Sequence, residues 1–115
     1  MNELETALLQ SVVGDVAPRL SLQTNTRVDA GGWVKKCVPA WLCVMDDQWV
    51  VLAVGKRRYV QVVSLNECAE SYYCAASGTL VLAPTEDLEL NRLAMSPADA
   101  LKILECNKMK ETNDA

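Results

Sequence analysis

A chain of 115 residues is long enough to close one hydrophobic core but not two, so a single fold is expected. Half of its residues are apolar and 23% are charged, the balance of an ordered protein, and no uncharged run reaches the ~18 residues a membrane-spanning helix requires. A net charge of −4 with one short basic cluster argues against nucleic acid as the main ligand, which takes an extended set of lysines and arginines to replace counterions.

The chain opens on Met1-Asn2-Glu3-Leu4-Glu5, acidic where a secretory signal is basic, and the protein is expected to stay in the cytoplasm. Asn2 can cap a short helix to Val13, with Glu3 and Glu5 in its favourable first turn and Leu4, Leu8 and Val12 at helical spacing. Leu4, Leu8, Leu9, Val12 and Val13 need a cover, either the body of the protein or a partner. Gly14 and Pro18 end the pattern, and Ser21 to Gly32 reads as a polar loop, which makes residues 1–31 a helix and loop ahead of the main body at 32–109.

From Trp33 the pattern becomes short runs rich in Val, Trp, Tyr and Thr, as antiparallel strands require. Seven are expected, at Gly32 to Cys37, Ala40 to Met45, Trp49 to Val54, Tyr59 to Leu65, Ser71 to Ala76, Thr79 to Ala83 and Leu88 to Leu93. Asp46-Asp47, Gly55-Lys56-Arg57, Asn66-Glu67, Ser77-Gly78 and Pro84-Thr85-Glu86 punctuate them, and Ser77-Gly78 reads as a tight two-residue hairpin. The second and third runs are apolar on both faces, which predicts strands covered on two sides. Adjacent Tyr72 and Tyr73 must point to opposite faces, so one of them lies outside.

Ser96-Pro97-Ala98-Asp99 starts a helix, with Ser at the N-cap, Pro at the first position and Asp where a carboxylate meets the positive helix end. Ala100, Leu101, Ile103 and Leu104 supply its buried face, and residues 110–115 have no apolar face and form a flexible tail.

Seven short strands followed by one amphipathic helix resemble the pleckstrin-homology (PH) superfold over Gly32 to about Met109. Gly32-Trp33-Val34-Lys35-Lys36 is similar to the start of its first strand, Trp41-Leu42-Cys43-Val44 to its second, and Val63-Ser64-Leu65-Asn66-Glu67-Cys68 to the exit of its fourth. The resemblance implies a mainly β (α+β) fold, a seven-stranded antiparallel barrel or sandwich capped by the C-terminal helix, here with an extra N-terminal helix. In that family a helix tryptophan plugs one barrel mouth; none occurs between Ser96 and Ala115, so Leu101 and Leu104 are expected in its place.

No histidine occurs, which removes Ser/His and Cys/His nucleophilic arrangements, and no enzyme activity is expected. Cys37, Cys43, Cys68, Cys74 and Cys106 lack the Cys-x-x-Cys knuckle of a zinc site and read as small buried hydrophobes, so neither metal nor cofactor is expected. Asp46-Asp47 and Glu86-Asp87 read as turn residues.

Residues 33–64 carry a surplus of three positive charges and residues 65–115 of five negative ones. Lys56-Arg57-Arg58, with Lys35 and Lys36, is the candidate anion or lipid site. In lipid-binding PH domains a basic residue late in the first strand works with others early in the second, whereas Ala40-Trp41-Leu42-Cys43 carries none. The expectation is therefore a protein–protein docking or scaffolding module, self-association included, with Leu8, Val12, Trp49, Tyr72 and Tyr73 as contact candidates and β-augmentation as one mode. Acidic phospholipid headgroups are the alternative ligand, and a structural domain of a larger protein the third reading.

Overall fold

The computed structural model describes residues 1–64, 70–82 and 90–114, the last eight of them by backbone alone. The connections expected at Asn66-Glu67 and Pro84-Thr85-Glu86, Cys68, the Glu86-Asp87 pair and the start of the last strand at Leu88 lie outside the described residues.

Among the described residues, the helix α1 (Glu3–Val13) precedes seven strands, β1 (Leu20–Asp29), β2 (Cys37–Val44), β3 (Gln48–Val54), β4 (Arg58–Ser64), β5 (Tyr72–Cys74), β6 (Thr79–Val81) and β7 (Arg92–Ala94), and α2 (Pro97–Asp114) follows them. The strands form two antiparallel meanders, β1-β2-β3-β4 and β5-β6-β7. The protein is thus mainly β, a two-sheet α+β sandwich rather than a closed barrel.

One strand differs from expectation. Residues 32–37 are not the first strand; β1 occupies the segment expected to be a polar loop, and 30–36 is the connection to β2. Leu20, Leu22 and Val28 face the core, but Thr24 and Thr26 lie between them, so the inward row reads as polar. Both hydroxyls are used. Thr24 Oγ1 donates to the Ala40 carbonyl at 2.7 Å, and Thr26 Oγ1 accepts the Ala94 N–H of β7 at 2.6 Å. Thr24, Asn25 and Thr26 together stand opposite the single residue Ala40, a bulge that bends β1 toward the second sheet. At the other edge Gln61 holds the backbone of Leu90, Nε2 donating to its carbonyl at 2.8 Å and Oε1 accepting its N–H at 3.0 Å.

β2 and β3 are covered on two sides, as their unbroken apolar runs predict. Leu42, Val44, Trp49 and Val51, with Val63 of β4 beside them, face Leu80, Leu82 and Leu93 between the sheets, with Ala100 and Ile103 of α2 closing the core. Their other face carries Cys43, Met45, Val50 and Leu52, which α1 covers with Leu9. Of the residues expected to need a cover, Leu9 is buried, flanked by Leu8 and Val13, whereas Leu4 and Val12 are exposed. Asn2 and Glu5 cap α1 reciprocally, Asn2 Oδ1 accepting the Glu5 N–H and Glu5 Oε1 the Asn2 N–H, both at 2.9 Å.

Three further details are corrected. The β5–β6 connection has four residues, Ala75 to Gly78, with Gly78 at φ 67° donating to the Cys74 carbonyl at 2.9 Å. Ser96 Oγ caps α2 by accepting the Asp99 N–H at 3.2 Å, as expected, but Leu101 is exposed, so Ala100 and Ile103 fill the place given to Leu101. The helical backbone also continues past Met109 to Asp114.

Candidate docking surface at the basic end of the first sheet

Antiparallel connectivity puts the β1–β2 loop and the β3–β4 hairpin at one end of the first sheet. Their contact begins with Asp29. Its Oδ1 accepts the N–H groups of Gly31 and Lys36, each at 3.1 Å, while Ala30 N–H donates to the Lys36 carbonyl at 2.9 Å. These bonds close the loop at its base and leave Trp33 and Val34 outside it. A side chain at Gly31 would run into the Val34 carbonyl and the Lys36 amide.

Ala30 then joins the hairpin. Its carbonyl accepts the Arg57 N–H at 2.8 Å, and a Cβ at Gly55 would stand 2.7 Å from the same oxygen, so only glycine permits this approach. Beside it, a Cβ at Gly32 would meet Lys56 Cδ at 3.7 Å. Two loops far apart in sequence form one surface, and Lys35, Lys36, Lys56, Arg57 and Arg58 are all exposed on it. Trp33 is 105% exposed and Val34 78%. Apolar side chains displayed this fully beside cations are the unusual feature of the molecule.

Among the described residues Asp29 is the one carboxylate of this surface. The hydrogen bonds from Gly31 and Lys36, and then the charges of Lys35 and Arg57, hold it below its ordinary value of 3.8. A depressed carboxylate contributes its stabilisation above the unfolded value and loses it as pH falls through the folded one. The Gly31 and Lys36 amide resonances should therefore titrate together with a midpoint below 3.8. In Asp29→Ala that transition should vanish and both amides should lose exchange protection; a midpoint at or above the ordinary value would contradict the loop geometry.

Of the expected anion site, Lys35 and Lys36 belong to a loop rather than a strand, and that loop touches the β3–β4 hairpin through Ala30 with Arg57 and Gly32 with Lys56. The expected contact residues do not meet. Trp49 is fully buried, and Tyr73 is part-buried with its hydroxyl donating to the Met95 carbonyl at 3.1 Å, so these two are packing residues. Leu8 lies against the outer-face cluster under α1; Tyr72 is exposed on the second sheet and Val12 at the end of α1. Trp33 is the residue missed. The glycine pair before it was the available signal, since Gly31-Gly32 interrupts a strand and marks a loop.

The opposite end of the sheet is acidic. Val12, Val13 and Val16 on one side and Met45, Asp46, Asp47 and Gln48 on the other line a groove of about 400 Å³. Asp46 Oδ1 lies 3.5 Å from Arg19 Nε and its side chain is 74% exposed. Among the described residues no three metal-ligating side chains come together. Cys37 and Cys43 share a strand face but sit six residues apart, roughly 20 Å along it. Burial pushes the Cys43 thiol up, against the Ser21 hydroxyl that donates to its sulfur at 3.7 Å, so it stays protonated.

Comparison with protein-family models, with curated proteins and with solved structures returns no match.

Proposed function

We propose that this chain is a non-catalytic docking module, a divergent PH-like domain whose basic end engages an acidic protein surface with Trp33 as its central anchor. A four-stranded and a three-stranded meander followed by a helix support the PH-like reading; α1 and the tryptophan-free α2 are its departures from the family. The absence of histidine from the sequence supports a binding role over catalysis.

The observation that carries the docking role is Trp33, wholly exposed on a loop whose base is hydrogen-bonded, among five cations from two hairpins. Trp and Arg dominate binding hot spots, and a fixed loop loses little conformational entropy on association. The cations supply orientation and on-rate, which weaken with salt. Val34 beside Trp33 favours a second reading, an anionic bilayer with the indole at headgroup level.

An acidic amphipathic peptide of alternating glutamate and leucine and phosphatidylserine vesicles separate the two. The docking reading expects the peptide to bind at low salt and Arg57→Glu to weaken it about tenfold or more. Binding to vesicles alone would replace the protein partner by a lipid surface. Binding to neither, or binding that Arg57→Glu leaves unchanged, would refute the assignment of this surface.

A further inference from the structure

We infer that the acidic partner of the basic end is the groove at the far end of a second copy of this chain, so that the protein associates head to tail. The inference rests on the docking reading above and gives it an occupant.

The two ends are complementary in shape class and in charge. One end projects an indole and a valine ringed by Lys35, Lys36, Lys56, Arg57 and Arg58. The other offers a groove of mixed lining, with Val12, Val13, Val16 and Met45 beside the polar groups of Asp46, Asp47 and Gln48. At about 400 Å³ it lies within the range of cavities that take a compact ligand, which suits one large side chain and a neighbour. Among the described residues Arg19 answers Asp46 and no cation answers Asp47, which can take an incoming lysine or arginine, and Asp15 adds a further carboxylate on the α1–β1 connection.

Topology decides the symmetry of the contact. β2 runs from the basic end to the acidic end over eight residues, so the two surfaces are roughly 25 Å apart on opposite ends of one sheet. A single copy cannot satisfy itself, and a reciprocal two-fold pair would need the basic end and the groove of each copy on one shared face, whereas they lie at opposite ends of the sheet. The remaining arrangement is heterologous, each copy giving its basic end to the groove of the next, which builds a ring or an open chain.

Sedimentation velocity on the full chain tests this with two variants, Trp33→Ala with Arg57→Glu at the basic end and Asp46→Lys with Asp47→Lys at the acidic end. All four side chains are exposed, so unchanged melting temperatures should accompany both. The wild type should sediment faster as concentration rises and lose this in high salt. Each variant alone should associate about thirtyfold more weakly or less, the loss of one hot spot. Mixed, the variants should form dimers and nothing larger, because only one compatible pair of ends remains. A wild type that stays monomeric overturns the inference, and retained binding of the acidic peptide would then leave the docking reading standing. Association of wild-type strength in either variant alone also overturns it, since the contact must lie elsewhere.

Discussion

Trp49→Ala is expected to destabilise the protein by about 3–5 kcal/mol, a large part of the stability of a domain this size. Trp49 lies at the centre of the inter-sheet core, opposite Val44 in the β2–β3 ladder and Val63 in the β3–β4 ladder, with no solvent exposure. Removing the indole leaves a cavity that β2 and β4 cannot collapse into, because each is held in register along its length. Trp33→Ala supplies the contrast. With its ring fully in solvent, its loss should change stability by no more than about 0.5 kcal/mol. Urea denaturation of the pair checks both, and equal losses would contradict the burial of one tryptophan and the exposure of the other.

Leu9→Asp should cost about 2–5 kcal/mol and convert the protein into one that binds a hydrophobic dye. Leu9 is the fully buried contact of α1 with the outer face of β2 and β3, over Cys43, Met45, Val50 and Leu52. A carboxylate there is taken out of water among Cys43, Met45, Val50 and Leu52. The capped helix can answer by leaving the sheet, since the capping box stabilises its first turn but not its docking. That uncovers an apolar strip continuous with Val60 and Val62, already exposed on edge strand β4. Leu4→Asp, on the outward side of the same helix, should be nearly neutral. Comparable losses from the two would place α1 on the wrong face.

These expectations show what local sequence carries and what it does not. β2 and β3 were legible because a strand apolar on both faces demands two covers, and the sheet has them in the second sheet and in α1. The start of α2 was legible because Ser96, Pro97 and Asp99 act locally on the helix end. β1 was not, since Thr24 and Thr26 sit in its inward row and are satisfied by Ala40 and Ala94, partners remote in sequence. Propensity also misplaced Trp33: Trp-Val favours a strand, and nothing local reveals that Asp29 closes a loop beneath them. The adjacent Leu8 and Leu9 left the buried face of α1 ambiguous by one residue.

The basic residues could be named and grouped from sequence, but the contact that joins their two loops could not. It depends on the Ala30 carbonyl meeting the Arg57 amide and on the bare Cα of Gly55, contacts that no spacing encodes. Trp49 was misassigned for the complementary reason: an aromatic in a strand has the same composition whether it faces a partner or the core.

The most direct test of the docking account is a nitrogen-correlated NMR titration with the glutamate–leucine peptide, reading the three indole resonances separately. The account predicts that the Trp33 indole and the backbone amides of 30–36 and 55–58 shift together and saturably, that raised salt reverses the shift, and that the Trp49 indole stays still. Saturable binding that moves other amides while the Trp33 indole is unaffected would contradict it.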